Sequence, residues 1–307
     1  MNAVRGPFLF SVGGHAVAVE GPESLFFAGH PAFARFATSG KPQWSVRYGC
    51  QLPPVPAHSE LLSSLVLGET NGQCTLHLCG DEYIYSMYSS DASPLLQMRH
   101  RRGGGKVEAT SAIDPCILRF SLWFAVSMLF VPSLCCFVHA SAVVCDGRAV
   151  LFLGESGTGK STHSRLWLQN IDGCRLLNDD SPLVEVCAMH HGAQAAPSIG
   201  LDGVLVHGTP WSGKTPCHVP RSFPLAAVVR LSQASHNTIR RLTVPEAFAA
   251  IQPSLPPALA QDAYFSDYLI RTASAVISAV PVYHLQCRPD AEAARLCHNT
   301  VFLSHDV

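Results

Sequence analysis

The stretch that most constrains how this chain can fold is Ala149-Val150-Leu151-Phe152-Leu153, followed at once by Gly154-Glu155-Ser156-Gly157-Thr158-Gly159-Lys160-Ser161-Thr162. Five consecutive apolar residues read as a strand buried on both faces. Beyond Thr162, the placement of Leu166, Trp167 and Leu168 predicts a helix. Strand, glycine-rich turn and helix, in that order, form the setting in which G-x-x-x-x-G-K-S cradles phosphate. Gly154, Gly157 and Gly159 permit backbone angles that a side chain would forbid, so successive N–H groups can turn inward on anionic oxygens. The positive end of the following helix adds to that attraction. Lys160 supplies a mobile charge for the β- and γ-phosphates, and the Ser161 hydroxyl is a ligand type for Mg²⁺. Residues 154–162 are therefore expected to bind a nucleotide, with no separate role for Glu155 or Ser156.

A second element, Leu176-Leu177-Asn178-Asp179-Asp180, puts two adjacent carboxylates at the end of an apolar run. Burying both is costly unless a metal or a proton separates their charges. They follow Lys160 by only 19 and 20 residues, so one helix brings the chain back on a neighbouring strand. The bland alternative is a surface turn, Asn-Asp-Asp-Ser-Pro. Upstream, His139 opens the strand-like Ala140-Ser141-Ala142-Val143-Val144, which leads into the turn Asp146-Gly147.

In that order and spacing, His139-Ala140-Ser141, the 154–162 loop and Asn178-Asp179-Asp180 resemble the HPr kinase/phosphorylase family and its relative, ATP-dependent phosphoenolpyruvate carboxykinase. The wording GKSTHSRLWL, LLNDDSPLV and GTPWSGK is most similar to HPr-kinase-related proteins, over roughly residues 110–300. The resemblance implies an α/β fold: a phosphoenolpyruvate carboxykinase/HPr-kinase-like P-loop core with a small N-terminal mainly β domain. It implies ATP in the loop, Ser161 and Asp180 on Mg²⁺, and Asp179 as the base that takes a proton from an attacking hydroxyl. A carboxylate fully engaged by metal is a poor base, which suits that division. His139 corresponds to a family histidine near the transferred group; its alternative is a packed core histidine. Family members form rings or dimers, so a homo-oligomer is implied.

The chain also departs from the family. Thr162 stands where HPr kinases carry an acidic residue, and their downstream glycine-rich, arginine-bearing stretch is missing. In its place is Gly208-Thr209-Pro210-Trp211-Ser212-Gly213-Lys214-Thr215. This run is either a lid bringing Lys214 over the phosphates or a surface turn with Trp211 packed down. Arg221 is a weaker candidate clamp.

Residues 1–108 alternate apolar and polar side chains between Gly, Pro, Ser and Asn clusters, which predicts a mainly β domain of unknown role. The run Arg99-His100-Arg101-Arg102-Gly103-Gly104-Gly105-Lys106 is expected to be a flexible solvated loop ahead of a catalytic domain at 109–307. With 21 basic and 22 acidic residues the charge is near balance, which argues against a nucleic-acid partner. Phe120–Val138 carries no formal charge over 19 residues, the length of a membrane span. Pro132 and three serines interrupt it, so a buried helix over about 121–131 and an interior strand over 134–144 are expected. Twelve cysteines lack any C-x-x-C pair and are read as reduced, mostly buried thiols in a cytoplasmic protein.

These readings add up to an Mg-ATP-dependent kinase that moves the γ-phosphoryl group to a hydroxyl on a protein, peptide or small molecule. Carboxykinase chemistry requires a longer chain. The contrasting expectation is a nucleotide-sensing binding module without phosphotransfer, which would not depend on Asp179.

Overall fold

The computed structural model describes residues 6–67, 72–187, 203–213 and 215–303. Its contacts divide the chain into two units: residues 1–133 with 256–268, and residues 134–255 with 269–307.

In the first unit the alternating stretches pair into one eight-stranded sheet. Its strands are β1 (Phe8–Val12), β2 (His15–Glu20), β3 (Trp44–Arg47), β4 (Glu60–Leu67), β5 (Gly72–Cys79), β6 (Glu82–Tyr88), β7 (Pro94–Arg101) and β8 (Lys106–Ala109). The spatial order is β1-β2-β3-β8-β7-β6-β5-β4. Two short helices, α1 (Ser24–Gly29) and α2 (Pro31–Ala34), connect β2 to β3. The basic run is not a loop between domains. Arg99, His100 and Arg101 complete β7, and only the turn after them separates it from β8. Alternation explains the difference: Met98 and His100 point inward and are buried, while Arg99 pairs with Glu82 and Arg101 with Asp81.

Helix α3 (Pro115–Phe130) starts six residues before the expected position. Asp114 caps it, its carboxylate accepting from the amides of Cys116 and Ile117, and Pro115 suits the first helical position. Tyr85 stacks on Phe124 at 4.0 Å, and the Tyr48 and Ser121 hydroxyls share a hydrogen bond of 2.9 Å. That packing places α3 with the first unit, so this unit runs past the expected division at 108/109. Pro115–Ser133 is long and apolar enough to cross a membrane, yet 61% of its apolar window is buried within the protein. The expected interior strand is split in two after the helix: β9 (Cys135–Phe137) and β10 (Ala140–Cys145) take different places in the next sheet.

The second unit holds β9, β10, β11 (Arg148–Leu153), β12 (Arg175–Asp180), β13 (Leu183–Cys187), β14 (Gly203–His207), β15 (Ser222–Gln233), β16 (Thr238–Arg241) and β17 (Val282–Cys287). Seven of these run β12-β10-β11-β15-β14-β13-β9, with β17 also on β15 and β16 on β17. The helices are α4 (Lys160–Asn170), α5 (Val244–Ile251) and α7 (Ala291–Phe302); α6 (Ala263–Ala279) begins in the first unit and ends in the second. Trp167 of α4 and Ala294, Cys297 and Val301 of α7 share one buried cluster with Val143, Phe152, Val229 and Leu285 of the sheet. That cluster holds the start of α4 beside the ends of β11 and β12.

The expected α/β fold with a P-loop kinase-like core is overturned. Among the described residues strand makes up 38% and helix 30%, in two sheets, and no clear α/β P-loop core stands out. Among the described residues of the second sheet, only β11·β15 and β15·β17 are parallel. The other six strand pairings there, from β10·β11 to β16·β17, are antiparallel. A helix after a strand predicts a parallel crossover. The α4 connection is of this kind, because β11 and β12 both pair antiparallel with β10 and so run in the same direction; the sequence order of elements does not reveal that β10 lies between them.

Candidate functional site

The tight glycine-rich turn forms between β11 and α4. Gly154, Gly157 and Gly159 all have positive φ, at 154°, 81° and 109°. At Gly154 an added Cβ would also stand 3.0 Å from Thr158 Cγ2, so a side chain there would be crowded as well as strained. Gly159 is the N-cap of α4, and its carbonyl accepts from His163 N–H at 2.8 Å. The first-turn amides of Lys160, Ser161 and Thr162 have no helical acceptor before them, as at any helix start. Lys160 folds back over the turn: its Nζ donates to Gly154 O at 2.7 Å and Glu155 O at 3.2 Å. Burial holds the Lys160 ammonium below the ordinary lysine pKa, against the opposing pull of Asp180 and Asp179.

The two aspartates arrive on β12. In the β10·β12 ladder Ser141 lies opposite Asp179 and Ala140 opposite Asp180. Asn178, fully buried, shapes the bend that carries them. Its Oδ1 accepts from the amides of Asp180 and Ser181 at 3.0 and 2.8 Å, while Nδ2 donates to Thr209 Oγ1 and Trp211 O. Asp179 is only 5% exposed. Its Oδ1 accepts from Ser141 Oγ at 2.9 Å, and Ser141 Oγ is 2.6 Å from Ser164 Oγ of α4. Its Oδ2 is buried without a hydrogen-bond partner. Asp180 is partly exposed, and its Oδ2 accepts a long bond of 3.4 Å from Ser181 Oγ.

These groups face one open pocket of about 400 Å³. Its walls bring together His139, Lys160, Ser161, Asp179 and Asp180, with Ser156, Gly157, Gly159 and Thr162 of the turn. His139 is anchored by its N–H to Ser254 O at 2.8 Å. Desolvation by the pocket walls, and then the Lys160 ammonium, hold the His139 ring below the ordinary histidine pKa, with Asp180 pulling the other way. The imidazole is therefore neutral at pH 7. Gly154, Glu155 and Thr158 support the turn without lining this pocket. Arg221 is not on its wall either; its guanidinium sits 5.6 Å from the Phe223 ring.

The 208–213 strap is packed down. Trp211 meets Phe137 edge-on at 5.2 Å, Thr209 is fully buried, and Gly213 N–H donates to Asp179 O at 3.2 Å. Of the two readings of this run, the described residues match the turn with its tryptophan buried; Lys214, the proposed lid residue, lies outside them. Sequence reasoning gave no role to Ser141, Ser164, Asn178 or Arg165, the last of which lines the pocket. Only the position of Ser141, two residues from His139 on an inward strand, was a signal.

Residues 114–289 match the family described as SynChlorMet cassette protein ScmC. That match spans more than half of the chain, and the protein belongs to this family. No curated protein matches the chain.

Proposed function

We propose that this member of the ScmC family is a cytoplasmic Mg-ATP-dependent phosphotransferase, which moves the γ-phosphoryl group of ATP to a hydroxyl acceptor. One observation carries the reading: Asp179 lines the pocket that Lys160 and Ser161 also line, and while Ser141 holds one of its carboxylate oxygens the other is buried without a partner. A buried carboxylate oxygen without a partner is costly in a purely structural role.

The chain's own groups divide the work. The amides at the start of α4 and the positive-φ glycines receive phosphate oxygens. Lys160 exchanges its two loop carbonyls for phosphate and offsets charge on the transferred group. Ser141 fixes the Asp179 carboxyl plane, so that Oδ2 accepts the proton of the attacking hydroxyl. The acceptor oxygen bonds to the γ-phosphorus as the bond to the β-phosphate bridge breaks, and ADP leaves. The neutral His139 ring beside Lys160 is positioned to donate a hydrogen bond to the same group. Ser161 and Asp180 are the oxygen donors suited to a Mg²⁺ ion, hard ligands of the type that ion takes. When bound, the ion neutralises phosphate charge.

The deciding experiment follows label from γ-labelled ATP with Mg²⁺ into protein and small-molecule fractions of a host extract, for wild type and Asp179→Asn. Transfer by wild type alone supports the reading and names the acceptor class. ATP binding without Asp179-dependent transfer would instead identify a nucleotide-sensing module. Lys160→Ala is expected to lose most of the thermal stabilisation by Mg-ATP; an unchanged shift would remove the nucleotide from this pocket.

A further inference from the structure

At the opposite end of the β10–β11 hairpin from the glycine turn, side chains of the hairpin turn and of α7 converge, with a further cysteine beside them. Cys145 ends β10, and Asp146 begins the two-residue turn with φ 50° ahead of Gly147 at φ 72°. Cys174 immediately precedes β12, and His298 projects from α7. A sulfur of Cys145, a carboxylate oxygen of Asp146 and a ring nitrogen of His298 all lie within 4.8 Å of one another. The Cys174 thiol neighbours that of Cys145 closely enough for the two to interact.

We propose that Cys145, Cys174, Asp146 and His298 form a tetrahedral zinc site that ties α7 and the α4–β12 connection to the β10–β11 turn. Zn–S and Zn–N bonds of ~2.3 and ~2.0 Å across a tetrahedral angle put sulfur and nitrogen ~3.5 Å apart; Cys145 Sγ and His298 Nε2 are 3.7 Å apart. The other ring nitrogen, Nδ1, faces Asn299 Oδ1 at 3.4 Å. With Nε2 on the metal, Nδ1 carries the hydrogen and donates to that oxygen, the outer contact that commonly orients a ligating histidine. Trp167 and Phe302 flank the imidazole at 5.5 and 5.1 Å between ring centres and hold its orientation. Two thiolates and one carboxylate around Zn²⁺ leave one negative charge. Arg148, the ladder partner of Cys145, lies over the Phe302 ring at 4.9 Å and offsets it. Sulfur with nitrogen and one oxygen selects zinc over the magnesium suited to Ser161 and Asp180. Uptake displaces the two thiol protons to solvent.

The test uses the full chain, reduced and stripped with a chelator, then titrated with Zn²⁺ and, separately, with Co²⁺ as a spectroscopic probe. One tightly held zinc per chain is expected. Cobalt should give the intense visible bands of a tetrahedral site and a thiolate charge-transfer band that falls by about half in Cys174→Ser. Asp146→Asn, on an exposed turn, should weaken zinc binding at least ~10-fold, while Asp180→Asn leaves it unchanged. Circular dichroism of each stripped variant reports whether it folds. Three results would overturn the site: no stoichiometric metal, a cobalt spectrum indifferent to Cys174→Ser and Asp146→Asn, or a Cys145–Cys174 disulfide persisting in reducing buffer.

Discussion

Asp262 of the first unit and Asp179 of the second are almost equally buried, at 4% and 5% exposure, and opposite in every other respect. Asp262 Oδ2 accepts from Tyr83 OH at 2.7 Å and Phe265 N–H at 3.1 Å, and Arg102 stands 3.6 Å from its Oδ1. Arg102 in turn lies over the Tyr83 and Tyr264 rings. The carboxylate is matched on both oxygens, and it fastens residues 256–268 to the first sheet. Asp179 is matched on one oxygen only. Full satisfaction marks a carboxylate that stabilises a fold. An unpartnered oxygen on a carboxylate that lines a pocket is the kind kept for a substrate.

The sharpest break between the two is in what they cost when changed. Asp179→Asn is expected to lower phosphoryl transfer by ~10²–10⁴-fold while leaving stability and the Mg-ATP thermal shift near wild type. Asp262→Ala is expected to do the reverse. It leaves Tyr83 and Arg102 without their acceptor and costs ~3–4 kcal/mol in urea unfolding, with transfer retained by whatever remains folded. If both substitutions destabilise equally and neither touches transfer, the distinction fails.

A third contrast comes from His163, which shares α4 with Ser164. Trp167 Nε1–H donates to its Nε2 at 3.1 Å, and burial pushes its pKa down to about 4. The unfolded chain titrates this group near 6.5, so below that pH the unfolded state holds the extra proton. Stability is then fully present above pH ~6.5 and is lost towards pH ~4, by at most ~3 kcal/mol. His163→Phe should flatten that part of the pH–stability curve, as followed by thermal melts across it. The smallest effect is expected at Ser141→Ala. It frees Asp179 Oδ1 and should slow transfer ~10-fold, with ~1 kcal/mol of stability lost; an unchanged rate would show that the carboxyl plane needs no fixing.

Local signals in the sequence carried far. The 154–162 turn, the helix after it and the strand before it occur where pattern places them, because glycine φ and apolar runs are decided within a few residues. Helix α5 likewise starts at a local device, the capping box that Thr243 and Glu246 form. The pairing of strands was not legible. Nothing local states that β10 lies between β11 and β12, or that β9, β13 and β14 join the sheet through antiparallel pairings, and it is these long-range choices that move the molecule out of the expected α/β class. Asp179 and Asp180 were singled out by their adjacency. The partners that distinguish them, Ser141 and Asn178, act through a strand register and a strap more than thirty residues distant. The Cys145–His298 cluster was hidden for the same reason, since no two of its cysteines stand near each other in the chain.

The strap's two end glycines have a consequence for how this protein can diverge. A methyl group at Gly208 would fall 2.0 Å from Val219 O, and one at Gly213 would fall 2.7 Å from Asp179 O. Both obstacles are main chain, so no neighbouring replacement makes room for them. Between those two fixed points the strap can exchange residues under mutational drift. At the points themselves, the neutral path is closed, and a lineage that lost either glycine would have to remake the carboxylate-bearing bend with it.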